Sequence, residues 1–234
     1  YGTDAASMAY ELLKEAGDII KERVNRESRI VIKPNLVLKS KASQGATTHP
    51  EIVEGIIRFL KDCGADNITI AEGAWVGEHV TSFDYCGYTD LSKRYNVKLL
   101  DTKNDKLIKM EYKGETYKVC ESIVQADYLI NVPVLKAHCQ TDLTCCMKNL
   151  KGCIPDSEKR RYHSVGLSKP IAALNGLVKP DLNIVDGICG DLTFEEGGNP
   201  VEANRILLGY DAVELDSYCA GLIGYDPIEI GYIR

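Results

Sequence analysis

The sequence predicts an α/β fold, a mostly parallel sheet with helices on both faces. Three observations predict it. Short apolar runs of strand length end at Pro or Gly. Amphipathic segments of helix length, with start and stop signals, lie between them. The two kinds alternate along most of the 234 residues, which is the pattern of a parallel sheet joined by crossover helices.

Residues 5–26 carry helical periodicity. RIVIKPN (29–35) is an apolar run closed by Pro34, a buried strand. HPEIVEGIIRFLKDCG opens a helix with Pro50 in its first turn, aligns Ile52, Val53, Ile56, Ile57 and Leu60 in one stripe, and stops at Gly64. NITIAEG (67–73) is a second strand, residues 82–96 a helix and VKLLD (97–101) a third strand. LIKMEYKGETYKV alternates on either side of Lys113-Gly114, so a small hairpin excursion is expected near 105–120. ADYLINVPVL is another buried strand. Residues 142–151 and 167–178 read as helices, and LNIVDGI (182–188) and RILLGY (205–210) as strands. A last helix starts at the Asp211 cap and stops at Gly224. Without an internal repeat or linker, residues 1–234 are expected to form one α/β domain, with both ends looking trimmed.

Composition narrows the function. The apolar fraction is 44% and the charged fraction 26%, as in ordinary globular domains. A net charge of −6 argues against a general nucleic-acid binder. No run nears the length of a membrane-spanning helix and no signal peptide is visible, so no membrane partner is expected. Nine scattered cysteines, an odd number, do not form a disulfide scaffold and point to a reducing, cytoplasmic setting.

In open parallel sheets ligands gather at the carboxyl ends of the strands. Lys33 and Asn35 follow the first strand, Glu72 and Gly73 the second, and Lys136 and His138 the strand at 127–132. Asp186 and Gly187 end the strand at 182–186. Each lysine alone reads as a solvated surface charge. Together Lys33, Lys136 and Lys148 point to a phosphate or carboxylate site. Asn35 and Asn149 stand beside them, and Thr48 lies at the helix start near Pro50 with free N–H groups. His138 is a candidate acid/base or metal ligand. His49 reads as a cap and His163, after Lys159, Arg160 and Arg161, as part of a solvated loop. FEEGGNP (194–200) reads as a mobile loop and candidate lid, and it is no P-loop.

The cysteines lack ferredoxin or zinc-finger spacing. Cys139 and Cys145 have five residues between them, and Cys145 and Cys146 are adjacent. On a helix over 142–151, Cys146 joins the apolar face and Cys145 shares a face with Lys148. Cys145 therefore reads as a candidate low-pKa thiolate, Cys146 and Cys153 as packing, and the roles of Cys139 and Cys145 stay open.

VIKPNLV, ADYLINVPVLKAH, MKNLKGCIPD, KPDLNIVDGI and GYDAVELDSYCAGLIGYDP run in order through the chain. They resemble the domain-of-unknown-function family 362. That resemblance implies an α/β domain often joined, in cis or trans, to a ferredoxin-like segment with two [4Fe–4S] clusters. No cluster is expected within this chain. ADYLINVPVLKAH…MKNLKGCIP also resembles the nickel-pincer-nucleotide lactate racemase family. That likeness implies Lys148 as anchor of a phosphorylated, nickel-bearing nucleotide-type cofactor, His138 as acid/base and His163 as nickel ligand. Cys-Cys-Met stands where that family has a Gly-Gly run before the Lys.

Three functions remain open from the sequence. The first is a domain binding a small phosphorylated or carboxylated molecule in a basic pocket, in metabolic or redox chemistry beside an iron–sulfur module. The second is a racemase or epimerase acting on a 2-hydroxy acid. The third is a non-catalytic docking domain for an electron-transfer module.

Overall fold

The computed structural model describes residues 4–74 and 81–234; His79 lies outside them. The first part of the chain forms α1 (Ala5–Ala16), α2 (Asp18–Arg23), β1 (Ile30–Pro34), α3 (Pro50–Asp62), β2 (Ile68–Glu72), α4 (Thr81–Tyr85), α5 (Tyr88–Tyr95) and β3 (Lys98–Asp101). The middle adds β4 (Leu107–Tyr112), β5 (Glu115–Cys120), α6 (Glu121–Val124), β6 (Tyr128–Val132), β7 (Lys136–His138), β8 (Asp142–Thr144) and α7 (Cys146–Asn149). The last part holds α8 (Asp156–Val165), α9 (Ser168–Leu177), β9 (Leu182–Asp191), β10 (Pro200–Gly209) and α10 (Ala212–Leu222).

The main sheet has the order β10-β9-β6-β1-β2-β3. All its pairings are parallel except β9 with β10. The chain winds outward from β1 to β3, then restarts on the other side of β1 with β6. A topological switch point therefore lies between β1 and β6, and ligands bind outside the carboxyl ends of the strands at such points. Alternating side chains cover both faces. Ile30 and Ile32, Tyr128 and Ile130, and Leu182 and Ile184 enter the core under α1, α3 and α5. Val31, Leu129 and Val185 enter the core under α7, α9 and α10.

Three sequence expectations change. The helix over 5–26 breaks at Gly17, where an added Cβ would meet the Phe59 ring at 2.8 Å, so the close approach of α3 sets the break. The helix over 82–96 breaks at Gly87, whose φ is +85°. The helix over 142–151 starts only at Cys146. Before it lies the β7–β8 hairpin, which Asp142 enters in the left-handed region at φ +61°. The delayed start has a tertiary cause. Asp216 of α10 accepts N–H bonds from Cys146 at 2.6 Å and Met147 at 3.0 Å, capping the short helix from outside. The hairpin over 107–120 is as expected, with Lys113 and Gly114 both at positive φ.

Candidate functional site

A row of polar side chains fixes the floor. Lys33, Asn131 and Asn183 stand in register across β1, β6 and β9. The Asn131 amide donates to Cys146 O at 3.0 Å and to Asn183 Oδ1 at 2.9 Å. Asn149 donates to Asn131 Oδ1 at 2.8 Å. Lys33 is fully buried, ion-paired with Glu72, and donates to Pro34 O and Asn149 Oδ1. A buried ion pair persists only where its remaining valences are met, and here they are. Gly152 is required beside it, because a Cβ there would sit 2.1 Å from Glu72 Oε1.

Above this floor, at the carboxyl ends of β1, β2 and β6, opens a cavity of about 490 Å³. That is the size of a small-molecule site. Lys136, Lys148, Lys151 and Lys159 line it, with His138, Gln140, His163 and Asn149. Acidic groups on its wall are Glu72, Glu195 and Glu196.

Lys148 is buried and meets the Thr144 hydroxyl at 3.0 Å. Burial, with Lys151 and Lys136 nearby, holds its amine well below the usual lysine range. Lys136 donates to Ala46 O and Glu195 O, each at 2.7 Å. Burial lowers it to about 7, against the pull of Glu195 and Glu72. Lys151 falls to about 8 through burial and the charge of Lys159. Lys159 donates to Gly73 O and Ala74 O, and burial lowers it too.

The Gln140 N–H donates to His138 Nδ1 at 3.0 Å. The neutral ring therefore carries its proton on Nε2, which faces Glu195 Oε1 at 3.6 Å. Burial and Lys148 keep His138 well below an ordinary histidine, so it is neutral at pH 7. Glu195 accepts from the Cys139 N–H at 3.1 Å and thiol at 3.2 Å. These bonds hold it ionised below its usual range although burial works the other way. The 194–200 loop is tied down by Asp191, which accepts from Thr193, Phe194 and Asn199 N–H groups.

The structure brings Asn35, Lys136, His138, Lys148, Asn149 and His163 to one cavity wall. Lys33 and Thr48 are not on that wall. Lys33 lies beneath it, and the Thr48 hydroxyl bridges Asn35 N and Val132 O. The hydroxyl of Thr47 is likewise turned inward, to Ser40 O. His163 sits on α8 rather than in a loop, 3.1 Å from both Lys151 Nζ and Gln140 Oε1. Lys151, Lys159 and Glu195 were not singled out from sequence. Lys159 and His163 share a helix face four residues apart, a signal that the basic run concealed. Cys145 is fully buried and its thiol is pushed well above the ordinary range by that burial, so it is no thiolate beside Lys148. His49 caps α3 by backbone only, and its ring meets Asp186 at 2.8 Å.

Fold and cavity together define a doubly wound α/β domain with a lysine-rich crevice at its switch point. The chain belongs to the domain of unknown function family DUF362, which matches residues 30–221. It is 24% identical over 218 residues to a thylakoid-associated protein of Synechocystis sp., covering 86% of this chain and 65% of that one. Its fold is similar to that of the lactate racemase apoprotein from Thermoanaerobacterium thermosaccharolyticum, with TM-score 0.60 and 12% identity, over 94% of this chain and 55% of that one. A structural-genomics protein from Thermotoga maritima matches with TM-score 0.59 and 13% identity, over 94% and 58%. The chain thus spans less than two thirds of each. Among the described residues, no helix is long and apolar enough to cross a membrane.

Proposed function

We propose that the crevice binds a small phosphorylated or carboxylated molecule, as part of metabolic or redox chemistry beside an iron–sulfur module. The observation that carries this reading is Lys148, a buried amine whose partner is a hydroxyl, with three further lysines on the same wall. Buried cations are paired in folded proteins, and an anionic ligand would complete this one. The test is thermal unfolding with inorganic phosphate, pyrophosphate and a series of small carboxylates. A ligand at about 100 times its Kd stabilises the fold by about 2.7 kcal/mol. The reading requires at least one anion to do so in wild type and not in Lys148→Met; no shift with any of them refutes it.

A second reading, a racemase or epimerase of 2-hydroxy acids, draws support from His138, Lys148 and His163 lining one cavity. Lys148 suits the phosphate of a nucleotide-type cofactor, whose chemistry would be hydride acceptance. Neutral His138 would hold or accept the proton. Nickel at His163 would have to displace Lys151 from its 3.1 Å contact. Nickel and a mass excess on anaerobically prepared protein would favour this reading, and their absence would leave the first.

A further inference from the structure

A second cluster of ligating groups lies behind the crevice floor, in the core under α7 and α10. Cys145 follows β8 and Cys146 starts α7. Asp216 and Cys219 stand three residues apart on α10, on one helix face. All four are fully buried. The Cys145 and Cys146 sulfurs are 3.8 Å apart, about the separation that two thiolates on one tetrahedral zinc-sized ion require at a metal–sulfur length of about 2.3 Å. The buried Cys219 thiol adjoins Cys145. The ligating atoms of Cys145, Cys146 and Asp216 lie within 4.8 Å of one another.

Packing does not ask for this convergence. Ala, Val or Ser would fill the volume, and a buried carboxylate is costly. The cap on α7 accounts for one lone pair on each Asp216 oxygen. The second lone pair of each oxygen faces the Cys145 and Cys146 thiols.

We propose that Cys145, Cys146 and Asp216 form a structural site for a thiophilic divalent ion of the zinc kind, with the neighbouring Cys219 drawn in as the fourth donor when the ion loads. With Cys219 in the fourth position, three thiolates and one carboxylate would make a closed tetrahedral donor set, without the open position of a catalytic site. Three S–H bonds break as three metal–sulfur bonds form, and three protons leave to solvent. The ion ties α7, and with it Lys148 and Asn149, to α10. Because the site has no exposed atom to admit an ion, loading accompanies folding.

The test is elemental analysis of the full chain expressed with Zn(II), and absorption spectroscopy of the chain refolded with Co(II). One ion per chain is expected, resistant to chelator in the native protein and released on unfolding. The cobalt form should show thiolate-to-metal charge transfer and the intense visible bands of a tetrahedral site. Cys219→Ser should weaken that charge transfer, and Cys139→Ser, in the crevice, should keep it. If Cys219→Ser does not fold, the wild-type cobalt spectrum decides. Failure of wild type to retain an ion, a spectrum without thiolate charge transfer, its loss in Cys139→Ser, or a Cys145–Cys219 disulfide in the intact mass overturns the proposal. None of these outcomes depends on the anion reading of the crevice.

Discussion

The amine of Lys148 faces the hydroxyl of Thr144 at 3.0 Å, and among the described residues no carboxylate pairs with it. A cation held in this way is a cost to the fold that a bound anion offsets. Lys148→Met keeps the stem and removes the charge. It is expected to raise the stability of the free protein by about 1–2 kcal/mol in chemical denaturation, as when buried charges give way to apolar groups. The same variant should lose stabilisation by the effective anion. A free protein that loses stability instead would mean that Lys148 is already well compensated.

Lys136 near 7 and Lys151 near 8 make anion binding depend on protons. Both lie below the unfolded lysine value of about 10.4. Between those limits the unfolded chain holds more protons, so the free protein should gain stability as pH rises. A bound anion favours the charged amines and raises their pKa values. Binding should therefore take up protons and weaken from about pH 7 to about pH 9. Calorimetry in buffers of different ionisation enthalpy measures the uptake directly; a heat independent of buffer would contradict it.

The strands and α3 were legible because their signals are local. IVIKP and ITIAE are apolar runs with stops, and Pro50 and Gly64 bracket α3. The lysines at strand ends followed from the rule for parallel sheets. What was not legible depends on distant partners. Asn131 and Asn183 read as strand interior, yet their register with Lys33 builds the floor. The start of α7 is set by Asp216, seventy residues downstream of Cys146. Lys159 looked like part of a solvated basic run until α8 turned it onto Gly73 O.

His49 and Asp186 oppose the lysine trend. Burial lowers the His49 pKa, but the hydrogen bond and charge of Asp186 outweigh it and leave it raised. A raised histidine contributes stability that is full below its unfolded value of about 6.5 and lost as pH rises through its folded value. The difference between wild type and His49→Ala isolates this from the lysines. That difference should be about 1.5–3 kcal/mol near pH 5.5, the range for a bond to a charged group, and shrink toward pH 8.5. A constant difference across that range would assign the loss to packing.

Lys33 and Glu72 give the sharpest test of the floor. Their contact is buried at both ends, with Lys33 fully enclosed and Glu72 6% exposed. Removing one partner leaves the other charge stranded, so Lys33→Met alone should cost about 3–5 kcal/mol. Lys33→Met with Glu72→Gln removes both charges and should cost clearly less than the sum of the singles, a coupling that a double-mutant cycle reads. Lys33 lies under the wall and Glu72 on it, so the double variant should match the anion Kd of Glu72→Gln alone within a few-fold, unlike Lys148→Met. Additive losses in the cycle would show that the pair contributes through shape alone. Retained coupling, with anion binding abolished in the double variant but kept in Glu72→Gln, would place Lys33 in contact with the ligand.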